Sequence, residues 1–159
     1  MPLEAPDQKF FEEACGYSEL GMFLEANDAL ENVDPFNRAA PEILALRVEI
    51  YRHLEKWELM AEIARRLAEF QPNEVHWRVS CAYAMRRFQS IEAAREILLV
   101  AKSQFPREAI VNYNLGCYAS VMGNLPLAKE YLRKCFEVDP DWRLQALDDE
   151  DLKPLWNSL

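Results

Sequence analysis

The chain has 159 residues, half of them hydrophobic and 28% charged, a balance that suits one soluble domain able to bury a core. Its net charge of −9 repels phosphate backbones, so nucleic acid is not an expected partner, and no apolar run nears the ~20 residues of a membrane span. The opening residues Met1 to Asp7 lack the basic-then-apolar pattern of a secretory signal, so a cytoplasmic location is expected, with no direct membrane insertion.

From the start, the residues follow a helical period with no strand-like alternation. Gly21 marks a turn, because glycine takes the left-handed conformation that ends a helix at little cost. After it comes the stripe Ala26, Ala29, Leu30 and Val33, spaced i, i+3, i+4, i+7. A second turn falls at Glu55, followed by Met60, Ile63, Ala64 and Leu67 and closed by Pro72. The third lies at Gln89, with Ser90 as helix cap, then Ala94, Ile97, Leu98 and Ala101 before Pro106. At the fourth, Gly123 precedes the cap Asn124 and the first-turn Pro126, and Ala128, Tyr131, Leu132 and Cys135 run on to Pro140.

Pro72, Pro106 and Pro140 are 34 residues apart, and all four stripes keep that phase. An apolar residue opens each second helix: Phe23, Trp57, Ile91 and Leu125. The spacing predicts four helix-turn-helix repeats over about 7–40, 41–74, 75–108 and 109–142 in a single domain. Ala14, Ala82 and Gly116 stand at matching places on first helices, where a small side chain lets two helices approach closely. In repeat two the register has two solutions, with Met60 or Ala61 at the contact. Beyond the repeats, Leu152, Leu155, Trp156 and Leu159 predict one more helix after the acidic run 148–151. It is expected to cap the array, with a partner-docking segment as the alternative.

Catalytic signals are sparse. Cys15, Cys81, Cys117 and Cys135 form no C-x-x-C pair, and the only histidines, His53 and His76, fall roughly 16 Å apart along neighbouring helices. No phosphate-cradling glycine loop or hydrolase motif occurs, so neither enzyme activity nor a metal or other cofactor is expected.

These features resemble the tetratricopeptide repeat family, which has a 34-residue helix-turn-helix unit, small residues at its helix contact and a closing proline. Repeat four matches best through Leu115-Gly116, Ala128, Leu132 and Asp139-Pro140. Repeat three matches through Ala82, Ala94, Leu98, Ala101 and Pro106. Repeat one agrees at Phe10, Ala14, Tyr17, Gly21, Ala26 and Leu30, but its proline is displaced to Pro35 and a lengthened connection follows. The resemblance implies an all-α superhelical solenoid whose first helices line a concave, partner-binding groove.

Carried onto this chain, the groove positions nominate Phe11 in repeat one and Glu49, Arg52 and His53 in repeat two. Repeat three adds His76, Tyr83, Arg86 and Arg87, and repeat four Tyr113 and Cys117. Arg52, His53, Arg86 and Arg87 form a cationic corner suited to an acidic residue or a C-terminal carboxylate, with tyrosines beside it for an apolar side chain. Solvated arginines favoured by helix C-termini are the plainer alternative. The family's carboxylate clamp for chaperone tails is not matched: its positions carry Phe11, Cys15, Leu46, His76 and Ser80, or one repeat later Ala45, Glu49, Ser80, Ile110 and Asn114, and neither register supplies the cations.

The expected role is therefore a non-catalytic adaptor or scaffold binding a protein or peptide partner. A secretion chaperone holding an apolar client is one alternative. Another is a self-assembling subunit that homo-oligomerises through exposed residues such as Trp57 and Trp77.

Overall fold

The computed structural model describes residues 2–159, and every regular element among them is helical. The chain divides into two compact units, one ending at Phe88 and one beginning at Gln89. None of the described helices is long and apolar enough to cross a membrane.

The first compact unit contains α1 (Asp7–Glu19), α2 (Phe23–Leu30), a short 3-10 turn (Pro35–Asn37), α3 (Pro41–His53), α4 (Trp57–Phe70) and α5 (Val75–Phe88). Consecutive helices pack on one another, α1 on α2, α2 on α3, α3 on α4 and α4 on α5. Their contact faces are built from Ala14, Leu30, Ile43, Ile50, Met60, Leu67 and Ala82, all essentially without solvent exposure.

Turn chemistry accounts for the hairpins. Gly21 has φ 73°, and the amide of Met22 donates to the Tyr17 carbonyl at 2.8 Å, closing α1 with the six-residue bond of a Schellman end. Glu55 holds the equivalent place with φ 56°, and Lys56 donates to Tyr51 at 2.8 Å. A side chain is thus carried where repeats one and four use glycine, at a local cost of order 1 kcal/mol.

Repeat one closes differently from the others. After α2, Asp7 gathers the connection by accepting from the Asp34 amide at 3.0 Å and the Asn37 side chain at 2.6 Å. These two donors hold its carboxyl below the usual carboxylate range. Arg47, buried on α3, donates to Asn27, Tyr51 and Glu31 at 2.8, 3.0 and 2.7 Å, and so satisfies its charge in place. In repeat two both register candidates are buried, Met60 at 1% and Ala61 at 5% exposure. Ala61 faces α5, where its carbonyl lies 3.5 Å from the Cys81 sulfur.

The second compact unit contains α6 (Ile91–Gln104), α7 (Ala109–Val121), α8 (Leu125–Val138), α9 (Trp142–Ala146) and a 3-10 helix (Glu150–Ser158). Ser90 and Asn124 cap α6 and α8, accepting from Ala93 at 3.0 Å and Leu127 at 3.2 Å. Gly123 has φ 85° and closes α7 as Gly21 closes α1. At Gln89 no such conformation occurs: Ser90 enters α6 from extended backbone at φ −163°, and the two compact units meet in sequence at this turn.

Gly116 faces α8. A Cβ there would stand 3.0 Å from two carbons of Leu132 and 3.4 Å from the Ala128 carbonyl, so glycine buys the close approach of α7 and α8. The helices α4, α6 and α8 end at Phe70, Gln104 and Val138, each two residues before its proline.

The last segment departs from the expected single α-helix. It forms the five-residue α9 and then a 3-10 helix, with Asp149 capping through the Asp151 amide at 3.0 Å and Pro154 inside. Three residues per turn put Leu152 and Leu155 on one face, and both are buried, while Leu159 leaves that face and is half-buried. Proline supplies no amide for a longer helical ladder. The segment packs on α7 and α8.

Candidate functional site

In the first compact unit, α3 and α5 each end in basic residues, Arg52 and His53 on one and Arg86 and Arg87 on the other. Cations are favoured there by the helix dipole. What the sequence did not indicate is how aromatic rings hold them. The Arg87 guanidinium lies 3.4 Å from the Tyr83 ring centre and 5.1 Å from that of Trp57. Arg52 stands 5.9 Å from the same Tyr83 ring, and Trp57 and Tyr83 meet edge to face at 5.8 Å. Arg87 also donates to the Tyr83 carbonyl at 2.8 Å. Stacking of this kind fixes a planar guanidinium while leaving its exposed edge free to donate to a carboxylate.

Glu49 belongs to the same neighbourhood, 3.9 Å from Arg52 and half-buried, so it partly offsets the local charge. His53 turns elsewhere: its ring stacks on Phe23 at 4.0 Å and its Nδ1 is 2.9 Å from the Glu49 carbonyl. Arg86 is half-buried and has an interaction of its own. His76 lies near the other end of α5, tilted against Trp77 at 4.9 Å, beside a shallow depression of about 430 Å³ lined by residues from Phe70 to Trp77. Phe11 is half-buried on α1.

Trp57 and Trp77 are not the exposed apolar residues expected from the sequence. Both are half-buried, Trp57 against Tyr83 and Arg87, and Trp77 donating from its indole to Gln71 at 2.7 Å. Trp57 reaches the corner because it opens α4 next to the end of α3, which the turn at Glu55 enforces. The regular apolar residue at that position was the available signal.

The second compact unit arranges its nominated residues otherwise. Tyr113 and Cys117 are each only 3% exposed and lie under the last segment. Tyr113 donates to the Asp149 carboxylate at 2.8 Å and its ring sits 4.7 Å from that of Trp142. Burial, together with that carboxylate, pushes the phenol far above its ordinary pKa, so it stays a donor. The Cys117 sulfur is 3.7 Å from the same carboxylate oxygen, and Ser120 donates to the Asp151 carbonyl at 2.7 Å. Cys117, Asp149 and Asp151 bring potential ligand atoms within 4.8 Å of one another, but Asp149 is already engaged by Tyr113, Cys117 and the Asp151 amide.

All four cysteines are free thiols, and burial pushes Cys81 up to about 11 and Cys135 up to about 12, well away from nucleophilic poise at neutral pH.

No family model matches the chain, and no curated protein matches it. Among solved structures, one described as MamA MSR-1 C2 is similar to it with a TM-score of 0.72 and 17% identity, over 87% of this chain and 82% of that one. A MamA mutant is similar with a TM-score of 0.52 and 15% identity, over 84% of this chain and 97% of that one. At these identities the likeness concerns the fold, and it fits the tetratricopeptide-type arrangement of helical hairpins implied by the 34-residue period.

Proposed function

We propose that this protein is a non-catalytic protein-interaction adaptor or scaffold of the cytoplasm. In this reading its first compact unit holds an acidic side chain or terminal carboxylate of a partner segment at Arg52 and Arg87. The observation that carries it is the stacked guanidinium of Arg87, 3.4 Å from Tyr83 and backed by Trp57. An arginine pinned in this way has lost its rotamer freedom before binding, so less ordering entropy opposes capture of an anion. Tyr83 and Trp57 supply flat apolar area beside the charge, the residue types that dominate binding energy at protein interfaces. Recognition without chemistry also accords with Cys81 and Cys135 thiols raised by burial further above neutral pH and with histidines engaged by different neighbours.

The test is a pull-down from cell extract with the unsubstituted chain and with an Arg52→Glu/Arg87→Glu variant, followed by peptide arrays of the captured protein. Reversing two such contacts should weaken a captured acidic segment by about 30-fold, the ~2 kcal/mol of a hot spot. Peptides ending in a carboxylate or an amide separate terminal from side-chain recognition. A partner retained at full affinity by a variant of unchanged helicity would remove the corner from consideration.

A further inference from the structure

In the second compact unit the first-helix face carries an occupant. Tyr113, Cys117 and Ser120 lie at i, i+4 and i+7 on α7, and all three are bonded to the segment that follows α9. Asp149 receives the phenol and the thiol, the Asp151 carbonyl receives the serine hydroxyl, and Leu152 and Leu155 are buried immediately afterwards. The order of chemistry along the segment is therefore acid first, then apolar.

Its position is unlike that of a following repeat. Wherever a first helix follows a second helix within a compact unit, it leans on that second helix: α3 on α2, α5 on α4 and α7 on α6. The 3-10 helix leans chiefly on α7, a first helix, and only lightly on α8. It also holds its own shape, since the Trp156 indole donates to the carbonyls of Ala146 and Asp149 at 3.0 and 3.2 Å. Asp148, Glu150, Lys153 and Pro154 remain exposed. A short segment with internal closure and one-sided burial has the form of a docked peptide.

We propose that Asp148–Trp156 is a built-in ligand. It occupies in cis a docking face on α7, made by Tyr113, Cys117 and Ser120, that accepts an acidic-then-apolar segment of a partner protein when the built-in one lets go. This face is distinct from the Arg52/Arg87 corner, and its test does not depend on that corner.

Thiol labelling of the full chain in a Cys15→Ser background reads the opening directly. Cys117 lies under the segment, whereas Cys135 on α8 and Cys81 on α5 are buried within helix contacts and react when those contacts open. Cys117 should label at least ten times faster than Cys135 in native buffer, with little dependence on urea, and Tyr113→Phe should accelerate it further. A fluorescein-labelled peptide with the sequence of residues 148–159 should bind an Asp149→Ala/Leu152→Ala variant at least ten times more tightly than the unsubstituted chain. Adding Arg52→Glu/Arg87→Glu to both chains removes the corner's own affinity for this acidic peptide and should leave at least the tenfold difference between them. If Cys117 and Cys135 label together with the same steep urea dependence, the segment is an integral cap and the proposal fails. Equal peptide affinity for a folded Asp149→Ala/Leu152→Ala variant overturns it too.

Discussion

Tyr83 and Cys117 stand 34 residues apart, at the same place in consecutive repeats, yet they meet opposite fates. Around Tyr83 the surface is open and cationic, with Arg52 and Arg87 exposed and leaning on aromatic rings. Around Cys117 the α7 face is closed and carries no charge of its own, its phenol and thiol turned to the Asp149 carboxylate and its hydroxyl to the Asp151 carbonyl of the same chain. One turn later the half-buried cation Arg86 corresponds to the buried hydroxyl of Ser120. Repeat position dictates which way a side chain points. Whether that direction is surface or core depends on what else the chain lays over it.

The largest expected effect comes from breaking the hairpin beneath the closed face. Leu132 is 1% exposed and packs where a Cβ on Gly116 would fall, so Leu132→Ala should cost about 2–5 kcal/mol. Urea denaturation followed by circular dichroism measures this, and a loss below ~1 kcal/mol would mean that α7 and α8 are not held by that contact.

The open face is sharpened by Arg87→Lys, which keeps the charge but loses the planar group stacked on Tyr83 and Trp57. Affinity for an acidic partner peptide should fall roughly tenfold, about 1.4 kcal/mol, while stability changes by less than ~0.5 kcal/mol. Full retention of affinity in an anisotropy titration would show that charge alone matters there.

The smallest effect concerns the turn that delivers Trp57 to the open face. Glu55→Gly relieves a left-handed side chain and should stabilise the protein by up to about 1 kcal/mol, or roughly 2–4 °C in Tm. A calorimetric scan showing destabilisation would indicate that the Glu55 side chain makes a contact worth more than its backbone strain.

Much of the fold could be read in advance because its signals are local. A proline two residues after a helix, an asparagine or serine accepting from the amide three residues on, and a glycine at positive φ act within a single turn of chain. Gly116 was legible for a related reason: the repeat itself says which residues of the partner helix lie opposite. The candidate sites were legible only as sets of positions. Glu49, Arg52, Tyr83 and Arg87 do converge, whereas His76 belongs to the other end of α5 and Tyr113 and Cys117 belong to a buried face. The missing information was long-range, such as the pairing of Tyr113 with Asp149 across 36 residues.

Helix periods, caps and breakers thus follow from residues a few positions apart, and the 34-residue phase multiplies them into hairpins. Tertiary structure alone decided that Trp57 backs an arginine, that Gln89 begins the second compact unit rather than repeating Gly21, and that 150–158 winds as a 3-10 helix over α7. Each of those outcomes depends on competition for burial among residues far apart in the chain, and no local propensity encodes the winner.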